Sequence, residues 1–315
     1  MSLFNKKINK SKIFEKNSDF VLLEGDCYES LKKIPDNSVK LIITSPPYNL
    51  NKEYENKNTL ENYLKEINPV IKEFNRILKD DGSVCWQVGN YVNKSEIFPL
   101  DIFYYNFFKD EGFKLRNRIV WHFNHGLHGT KRLSGRYEVM MWFTKSDTYT
   151  FNLDDIRVPS KYPGKTNYKP GKNYGKLSGN PLGKNPSDYW EIMIKEWELG
   201  FWEIPNVKAN HPEKTLHPCQ FPIELVERCI FAFTNEKDVV LDPYSGVGSS
   251  MLAAVKNNRI GVGCEIDKKY IKIAYEKINL LETGDLPYRE LGKKISEAKG
   301  KVATIPKEFK AYNNF

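Results

Sequence analysis

The sequence has few cysteines and no long apolar run. Its 315 residues include five cysteines, which are far apart and form no CxxC pair: Cys27, Cys85, Cys219, Cys229 and Cys264. An odd number at these spacings predicts neither a disulfide framework nor a cysteine metal site. No stretch approaches the roughly 20 apolar residues that a membrane-spanning helix needs, and residues 1–14 lack the apolar core of a secretion signal. We therefore expect a soluble, cytoplasmic protein whose thiols are reduced and mostly packed.

Basic residues exceed acidic ones. The chain has 48 Lys and Arg against 40 Asp and Glu, a net charge of +8 and a pI near 8.9. This balance favours a polyanionic partner such as nucleic acid, but it is permissive, since many basic proteins bind none.

Short apolar runs alternate with helical patterns along most of the chain. The patterns predict strands at 20–25, 38–44, 83–89, 114–123, 137–145, 238–243 and 259–266, and helices at 27–35, 63–78, 97–113, 223–234, 249–258 and 268–282. Strands that alternate with helices predict an α/β fold built on a parallel sheet.

The composition changes between residue 152 and about residue 190. This segment is rich in Lys, Gly, Pro, Asn and Tyr and has almost no periodic apolar positions. A flexible linker is one interpretation. The other is a binding surface, because lysines placed between tyrosines can neutralise phosphates and stack on bases.

A glycine-rich turn follows a buried strand that ends at Asp242. Gly246 and Gly248 form the turn, and the next strand ends at Glu265. The pattern is not the dinucleotide fingerprint, whose third glycine would fall at Met251. A carboxylate at Asp242 would repel a pyrophosphate and suits a positively charged ligand without phosphate, such as S-adenosylmethionine. A purely structural turn and a site for another nucleotide cofactor are the alternatives.

Five segments together resemble the DNA amino-methyltransferases, which methylate the exocyclic nitrogen of cytosine or adenine. The segments are TSPPY (44–48) as catalytic motif IV, HPCQFPIEL (217–225) as motif X, LDPYSGVGSS (241–250) as motif I, GVGCEID (261–267) as motif II, and LLEGDCYESL (22–31) as the adenine-contacting segment. The catalytic motif precedes the cofactor motifs, which is the order of the beta class. The resemblance covers roughly residues 20–282. It implies a circularly permuted, doubly wound, Rossmann-like methyltransferase sheet with an inserted target-recognition region.

The same resemblance implies how the chain is divided. The predicted parts are an N-terminal extension (1–19), the catalytic half of the methyltransferase domain (20–151), the target-recognition region (152–210), the cofactor-binding half (211–282) and a basic C-terminal tail (283–315). The two halves should meet at the carboxyl edge of one sheet, where such folds bind ligands. Asp26 and Glu265 should then be neighbours.

The resemblance also implies the site residues. The implied ligands of S-adenosylmethionine are Asp26, Cys27, Phe221, Pro222, Asp242, Pro243, Tyr244, Gly246, Gly248 and Glu265. The implied catalytic residues are Ser45, Pro46, Pro47 and Tyr48. Ser45 and the Pro46 carbonyl can accept hydrogen bonds from the target amino group, and the prolines hold both acceptors rigid. Tyr48 can stack on the flipped-out base.

Double-stranded DNA is the implied partner, and basic side chains outside the motifs are candidates for contacting it. These are Arg132, Arg136, Lys161, Lys165 and Lys169. A homodimer and a cognate restriction endonuclease that acts on the same site are both compatible with the resemblance. No membrane partner is expected. No metal is expected either, although three histidines recur at three-residue intervals: His122, His125 and His128.

Ser45 favours cytosine as the target. In this family Ser at the first position of motif IV is usual for cytosine N4 enzymes, and Asp or Asn for adenine N6 enzymes. Adenine N6 remains the alternative, because Ser, Asn and Asp can all accept a hydrogen bond from either amino group. RNA and protein-glutamine methyltransferases are more distant alternatives, since their cofactor motif normally comes first. A non-catalytic nucleic-acid binder would not need both motifs.

Overall fold

The computed structural model describes most of the chain between residues 7 and 290. The described residues are 7–15, 17–48, 59–94, 96–123, 130–190, 206–207, 211–220 and 222–290. Phe221 lies outside them, as do His125, His128 and residues 291–315 of the predicted tail.

Strands and helices alternate in these residues as predicted. The strands are β1 (Lys10–Ser11), β2 (Phe20–Glu24), β3 (Val39–Thr44), β4 (Leu78–Val88), β5 (Asn90–Asn93), β6 (Glu96–Pro99), β7 (Lys114–His122), β8 (Tyr137–Thr144), β9 (Tyr189–Trp190), β10 (Val239–Asp242) and β11 (Ile260–Glu265). The helices are α1 (Cys27–Leu31), α2 (Leu60–Ile77), α3 (Leu100–Asp110), α4 (Leu153–Ile156), α5 (Ile223–Phe233), α6 (Ser249–Lys256) and α7 (Lys268–Thr283).

The main sheet joins strands from distant parts of the chain. Within the described residues its order is β1-β2-β11-β10-β3-β4-β8-β7-β9. Adjacent strands from β1 to β4 in this order run parallel to one another. Strand β10 pairs directly with β3, with Val240 opposite Leu41. The C-terminal half therefore supplies the strand beside the one that leads into Ser45, as the permuted order requires.

Alternating side chains of the central strands are buried on both faces of the sheet. Phe20 and Leu22 of β2 belong to one apolar cluster with residues of α5, α6 and α7. Val21 and Leu23 belong to the other, with residues of α1, α2 and α3. All the residues of β3 are buried. Burial on both faces is typical of a parallel sheet covered by two helical layers, and it confirms the predicted doubly wound α/β fold.

The prediction of a parallel sheet throughout the first half is wrong for β7 and β8. Strand β8 runs antiparallel to both β4 and β7. Parallel neighbours need a crossover, usually a helix. No helix is present in the described residues between β7 and β8, which agrees with their antiparallel pairing. The predicted helix at 97–113 also begins later, because β5 and β6 form a hairpin that ends at Pro99.

The composition-biased segment after residue 151 is joined to the fold at both ends. Ile156 and Val158 are buried at its start, and Trp190 of β9 is buried at the edge of the main sheet. Val158 also pairs with Lys184 in an isolated bridge. Residues 159–182 between these anchors are almost all exposed. The predicted tail also begins inside the fold, because Arg289 is buried and ion-paired with Glu224.

Gly261 and Gly263 of β11 let helix α6 lie close to the sheet. A Cβ added at Gly261 would lie 2.6 Å from the backbone oxygen of Met251. We expect Gly261→Ala to lower the free energy of unfolding by about 1 to 3 kcal/mol, because a backbone atom must shift. Gly164→Ala, where a Cβ meets nothing within 4 Å, should change it by less than about 0.5 kcal/mol. Equal urea midpoints for both variants would contradict the close packing.

Candidate active site

The carboxyl ends of the central strands open onto one cavity of about 210 Å³. Strand β3 leads into the Ser-Pro-Pro-Tyr segment (45–48), β10 leads into the glycine turn (243–248), and β2 and β11 end beside both. The predicted site residues that line the cavity are Asp26, Cys27, Ser45, Pro46, Pro47, Tyr48, Asp242, Pro243, Tyr244, Gly246 and Glu265. Segments from opposite ends of the chain therefore meet at one sheet edge.

The glycine turn has a backbone that needs glycine. Gly246 has φ 50° and Gly248 has φ 79°, both in the left-handed region. A Cβ at Gly246 would lie 3.1 Å from Nε2 of His217. Gly248 does not line the cavity; it precedes Ser249 at the start of α6. Its contribution is to the shape of the turn.

Asp242 is a buried carboxylate at the floor of the cavity. One of its oxygens accepts hydrogen bonds from the Thr44 hydroxyl at 2.6 Å and from the Tyr244 backbone N–H at 3.1 Å. The other accepts a hydrogen bond from the Ser250 hydroxyl at 2.5 Å. Burial raises the pKa of Asp242 to about 6, although these donors favour the ionised form. Because Thr44 directly precedes Ser45, Asp242 also links the Ser-Pro-Pro-Tyr segment to the glycine turn.

Glu265 and Asp26 are neighbours, as predicted. Glu265 pairs with Glu24 in the sheet, and its backbone oxygen accepts a hydrogen bond from the Gly25 N–H. The Glu265 carboxylate accepts from the backbone N–H of Gly246 at 2.8 Å, so it also holds the turn. Burial raises its pKa above the ordinary value. Asp26 caps α1 and lines the same cavity.

Two hydrogen bonds hold the Ser-Pro-Pro-Tyr segment in place. The Ser45 Oγ lies 2.8 Å from the Tyr48 hydroxyl. The Tyr63 hydroxyl, on α2, donates to the Pro47 carbonyl. Pro46 is buried. With two φ angles also set by proline rings, the segment presents its polar groups in one rigid arrangement.

Two polar residues near the Tyr48 hydroxyl belong to no motif that the sequence analysis identified. The Tyr48 hydroxyl lies 3.4 Å from Oε2 of Glu138, on β8. Gln87, on β4, donates to the same carboxylate oxygen. Burial and the Glu138 charge raise the pKa of Tyr48 well above its ordinary value. Glu138 comes next to Tyr48 because β8 returns antiparallel along β4, which the sequence did not predict.

The loop before α5 adds residues that the sequence indicated only weakly. His217, Cys219 and Gln220 line the cavity. Burial, then the nearby Lys214 charge, lower the pKa of His217 to about 4. Pro222 is buried at the start of α5 and does not line the cavity.

Comparison with known proteins identifies the family. The model of the N6/N4 methyltransferases, described as DNA methylase, matches residues 39–276. The chain belongs to this family. It is a DNA amino-methyltransferase of the N4/N6 type.

One relative and two solved structures illustrate the similarity. The type II methyltransferase M.BglII of Bacillus subtilis is 46% identical over 256 residues, covering 81% of this chain and 68% of M.BglII. The cytosine-N4-specific PvuII DNA methyltransferase has a TM-score of 0.64 and 20% identity, covering 90% of this chain and 96% of that one. TTHA0409 of Thermus thermophilus, complexed with S-adenosyl-L-methionine, has a TM-score of 0.57 and 23% identity, covering 88% of this chain and 97% of that one. The two structures support the Rossmann-like methyltransferase fold.

The predicted DNA-contacting residues of this methyltransferase lie outside the cavity. Lys161, Lys165 and Lys169 are exposed in the segment after Val158. Arg132 is exposed and Arg136 is half-buried, just before β8. The structure therefore divides these residues between two segments.

The described residues of this methyltransferase contain no group of three His, Cys, Asp or Glu side chains placed to hold a metal ion. They also contain no helix that is both long and apolar enough to span a membrane.

Proposed function

We propose that this chain transfers a methyl group from S-adenosylmethionine to the exocyclic amino group of a base flipped out of double-stranded DNA, and that the base is cytosine, methylated at N4. The observation that carries the proposal is the single cavity lined by both the Ser-Pro-Pro-Tyr segment and the glycine turn. Methyl transfer needs donor and nucleophile within contact distance and in line. One cavity with both sets of groups meets that need.

The lining of the cavity suits S-adenosylmethionine. The acidic residues Asp26, Asp242 and Glu265 line it, and none of its described lining residues is Lys or Arg. Such a lining attracts the ammonium and sulfonium groups of the cofactor and disfavours phosphates. In the proposed complex Glu265 accepts hydrogen bonds from the ribose hydroxyls, and Asp26 lies next to the adenine.

The remaining cofactor residues enclose the ligand in this proposal. Cys27, Pro243, Tyr244 and Gly246 line the cavity beside the carboxylates. Gly248 shapes the turn. His217, which lines the cavity, covers the methionine end of the cofactor, and the buried Pro222 contributes by fixing the start of α5.

The Ser-Pro-Pro-Tyr segment activates the amino group. The nitrogen lone pair of the free base is delocalised into the ring, so the amine is a poor nucleophile. Acceptors at Ser45 Oγ and at the Pro46 carbonyl bind its two N–H groups and favour a pyramidal nitrogen that aims its lone pair at the sulfonium methyl. Tyr48 contacts the flipped base from the side of the cavity, and its rigid setting reduces the entropy lost on binding.

Ser45 supports cytosine, and adenine N6 is the second candidate because the family includes both activities. The test incubates the protein with labelled S-adenosylmethionine and mixed-sequence duplex DNA, then identifies the labelled nucleoside by mass spectrometry. N4-methylcytosine is the expected product. N6-methyladenine would overturn the choice of base, and label that appears only in RNA or protein would overturn the choice of substrate.

The exposed segment 159–182 supports DNA as the substrate. It contains five lysines and no acidic residue. Tyr162, Tyr168 and Tyr174 are 64%, 74% and 66% exposed between these cations. Cations interleaved with aromatic rings can contact phosphates and stack on bases or sugars. We assign target recognition to this surface.

Charge neutralisation tests the recognition surface. Replacing Lys161, Lys165 and Lys169 together by Gln should reduce the slope of log Kd for DNA against log salt concentration by about 3, since each phosphate contact contributes about 0.9. Turnover at saturating DNA should stay within about twofold. The matched control neutralises Lys109, Lys268 and Lys272, which lie on α3 and α7. An equal change of slope in the control would mean that the net charge of the protein determines the salt dependence, and that contacts of the three recognition-surface lysines with phosphates do not.

The relatives support a place in a restriction-modification system. M.BglII is named a type II methyltransferase. In such a system a cognate endonuclease cuts the same DNA site when it is unmethylated. Host DNA protected by this chain should resist that endonuclease.

A homodimer stays a prediction that the oligomeric state in solution would test.

A further inference from the structure

The Tyr48 hydroxyl lies between Ser45 and Glu138. Its oxygen is 2.8 Å from Ser45 Oγ and 3.4 Å from Glu138 Oε2. Gln87 donates to the same Oε2, which holds the carboxylate in place. A Cβ at Gly89 would lie 3.2 Å from the Tyr48 ring and 3.6 Å from Glu138 Oε1, so glycine at this position leaves room for both side chains.

The hydroxyl of Tyr48 has one hydrogen, and its direction decides what Ser45 can do. An ionised carboxylate only accepts hydrogen bonds. When Tyr48 donates to Glu138, its oxygen is left to accept the hydrogen of Ser45. The oxygen of Ser45, a residue that lines the cavity, can then accept a hydrogen bond from the base. When Tyr48 donates to Ser45 instead, the Ser45 hydrogen turns toward the incoming N–H of the base, and two donors oppose each other.

We propose that Glu138 is a positioning residue that orients the Tyr48 hydroxyl, and through it the Ser45 hydroxyl, so that Ser45 accepts a hydrogen bond from the target amino group. This inference rests on the proposed role of Ser45. The 3.4 Å separation is longer than an ordinary O–H···O bond. Hydrogen bonds of this kind often shorten when the substrate complex forms.

Two substitutions at Glu138 distinguish the effect of its hydrogen-bond acceptor on kcat from the effect of its negative charge. Glu138→Ala removes the acceptor and should lower kcat by about 10- to 100-fold, the effect of one hydrogen bond to a charged group. Glu138→Gln removes the charge, but its amide oxygen can take the place of Oε2. It should keep kcat within about fivefold of the original protein, because a neutral acceptor replaces the charged one and the hydrogen bond from Tyr48 is kept. Dissociation constants for cofactor and DNA should be nearly unchanged in both variants.

A double-mutant cycle tests whether Glu138 acts through Tyr48. In a Tyr48→Phe background no hydroxyl is left to orient, so Glu138→Ala should lower kcat no further. If Glu138 had only a structural role, Glu138→Ala would lower kcat by the same factor in the Tyr48→Phe background as in the original protein. Glu276→Ala, which removes an exposed carboxylate of α7, is the control for net charge. Glu138→Met keeps the side-chain length without an acceptor and replaces the alanine variant if that fails to fold.

The outcomes separate this inference from the proposed function. Unchanged kcat in Glu138→Ala, equal loss in Glu138→Gln, or an undiminished loss in the Tyr48→Phe background would each overturn the role of Glu138. If Ser45→Ala still loses turnover in that case, the role of Ser45 stands. If Ser45→Ala and Glu138→Ala both keep full turnover, the proposed function of Ser45 fails as well.

Discussion

Replacing Ser45 by alanine should lower the turnover of methyl transfer on the order of 100-fold, the usual effect of removing one preorganised hydrogen-bonding group from a reaction centre. Ser45 lines the cavity, and its Oγ lies 2.8 Å from the Tyr48 hydroxyl. Its proposed contact with the amino group strengthens as the nitrogen becomes pyramidal. The loss should therefore appear in kcat, while Kd for DNA and for cofactor changes by less than about threefold.

Single-turnover methyl transfer and equilibrium binding, measured on the same preparation, check this expectation. Ser38→Ala is the matched control, because its hydroxyl donates to the Pro35 carbonyl at the opposite end of the same strand. That variant should keep full turnover. An equal loss of turnover and DNA affinity in Ser45→Ala would mean that Ser45 positions the DNA and does not activate the amine.

Replacing Asp242 by alanine should abolish measurable cofactor binding. The substitution removes a carboxylate from the cavity and leaves the hydroxyls of Thr44 and Ser250 without their buried acceptor. We expect Kd for S-adenosylmethionine to rise by at least about 100-fold, since a buried charge is removed and its hydrogen-bond donors are left unpaired. Calorimetric titration checks this. Asp238→Ala, at the opposite end of the same strand, should bind normally. Tight cofactor binding by Asp242→Ala would contradict the assignment of the turn.

The raised pKa of Asp242 also predicts the direction of a pH dependence. Its pKa is about 6 in the folded protein and 3.8 for an ordinary Asp. In the cofactor-free protein this difference contributes stability that is present below pH 4 and is lost as the pH rises through 6. A cationic ligand favours the ionised form, so cofactor affinity should fall below pH 6, by up to about tenfold per pH unit. Asp242→Asn should flatten that part of the profile, although Glu265 also has a raised pKa and lies in the same cavity.

The sheet edge that forms the site could be predicted from the sequence. The apolar runs that become β2, β3, β10 and β11 are short, buried on both faces and followed directly by polar or glycine-rich turns. Parallel strands bring such turns to one edge. The pairing of Glu24 with Glu265 and of Val240 with Leu41 realises that expectation. The motif order then indicated which turn faces which.

Contacts made by antiparallel strands could not be predicted. No residue pattern in the sequence between β7 and β8 indicates that β8 runs antiparallel to its neighbours. Glu138 reaches Tyr48 only because of that direction. The contact of His217 with Gly246 likewise depends on packing between a loop and a turn. The hydrogen bonds to Asp242 were also unexpected, since sequence gives the position of a carboxylate but not its partners.

The central claim is that this chain methylates the amino group of one base at a defined DNA sequence through Ser45. Its most direct test is to express the chain and its Ser45→Ala variant in cells without related enzymes, and to sequence plasmid DNA by a method that reads N4-methylcytosine and N6-methyladenine. We expect N4-methylcytosine at one recurring short sequence with the original chain and its near absence with the variant. Plasmid DNA without methylated amino groups, or an equal level of methylation with the variant, would contradict it.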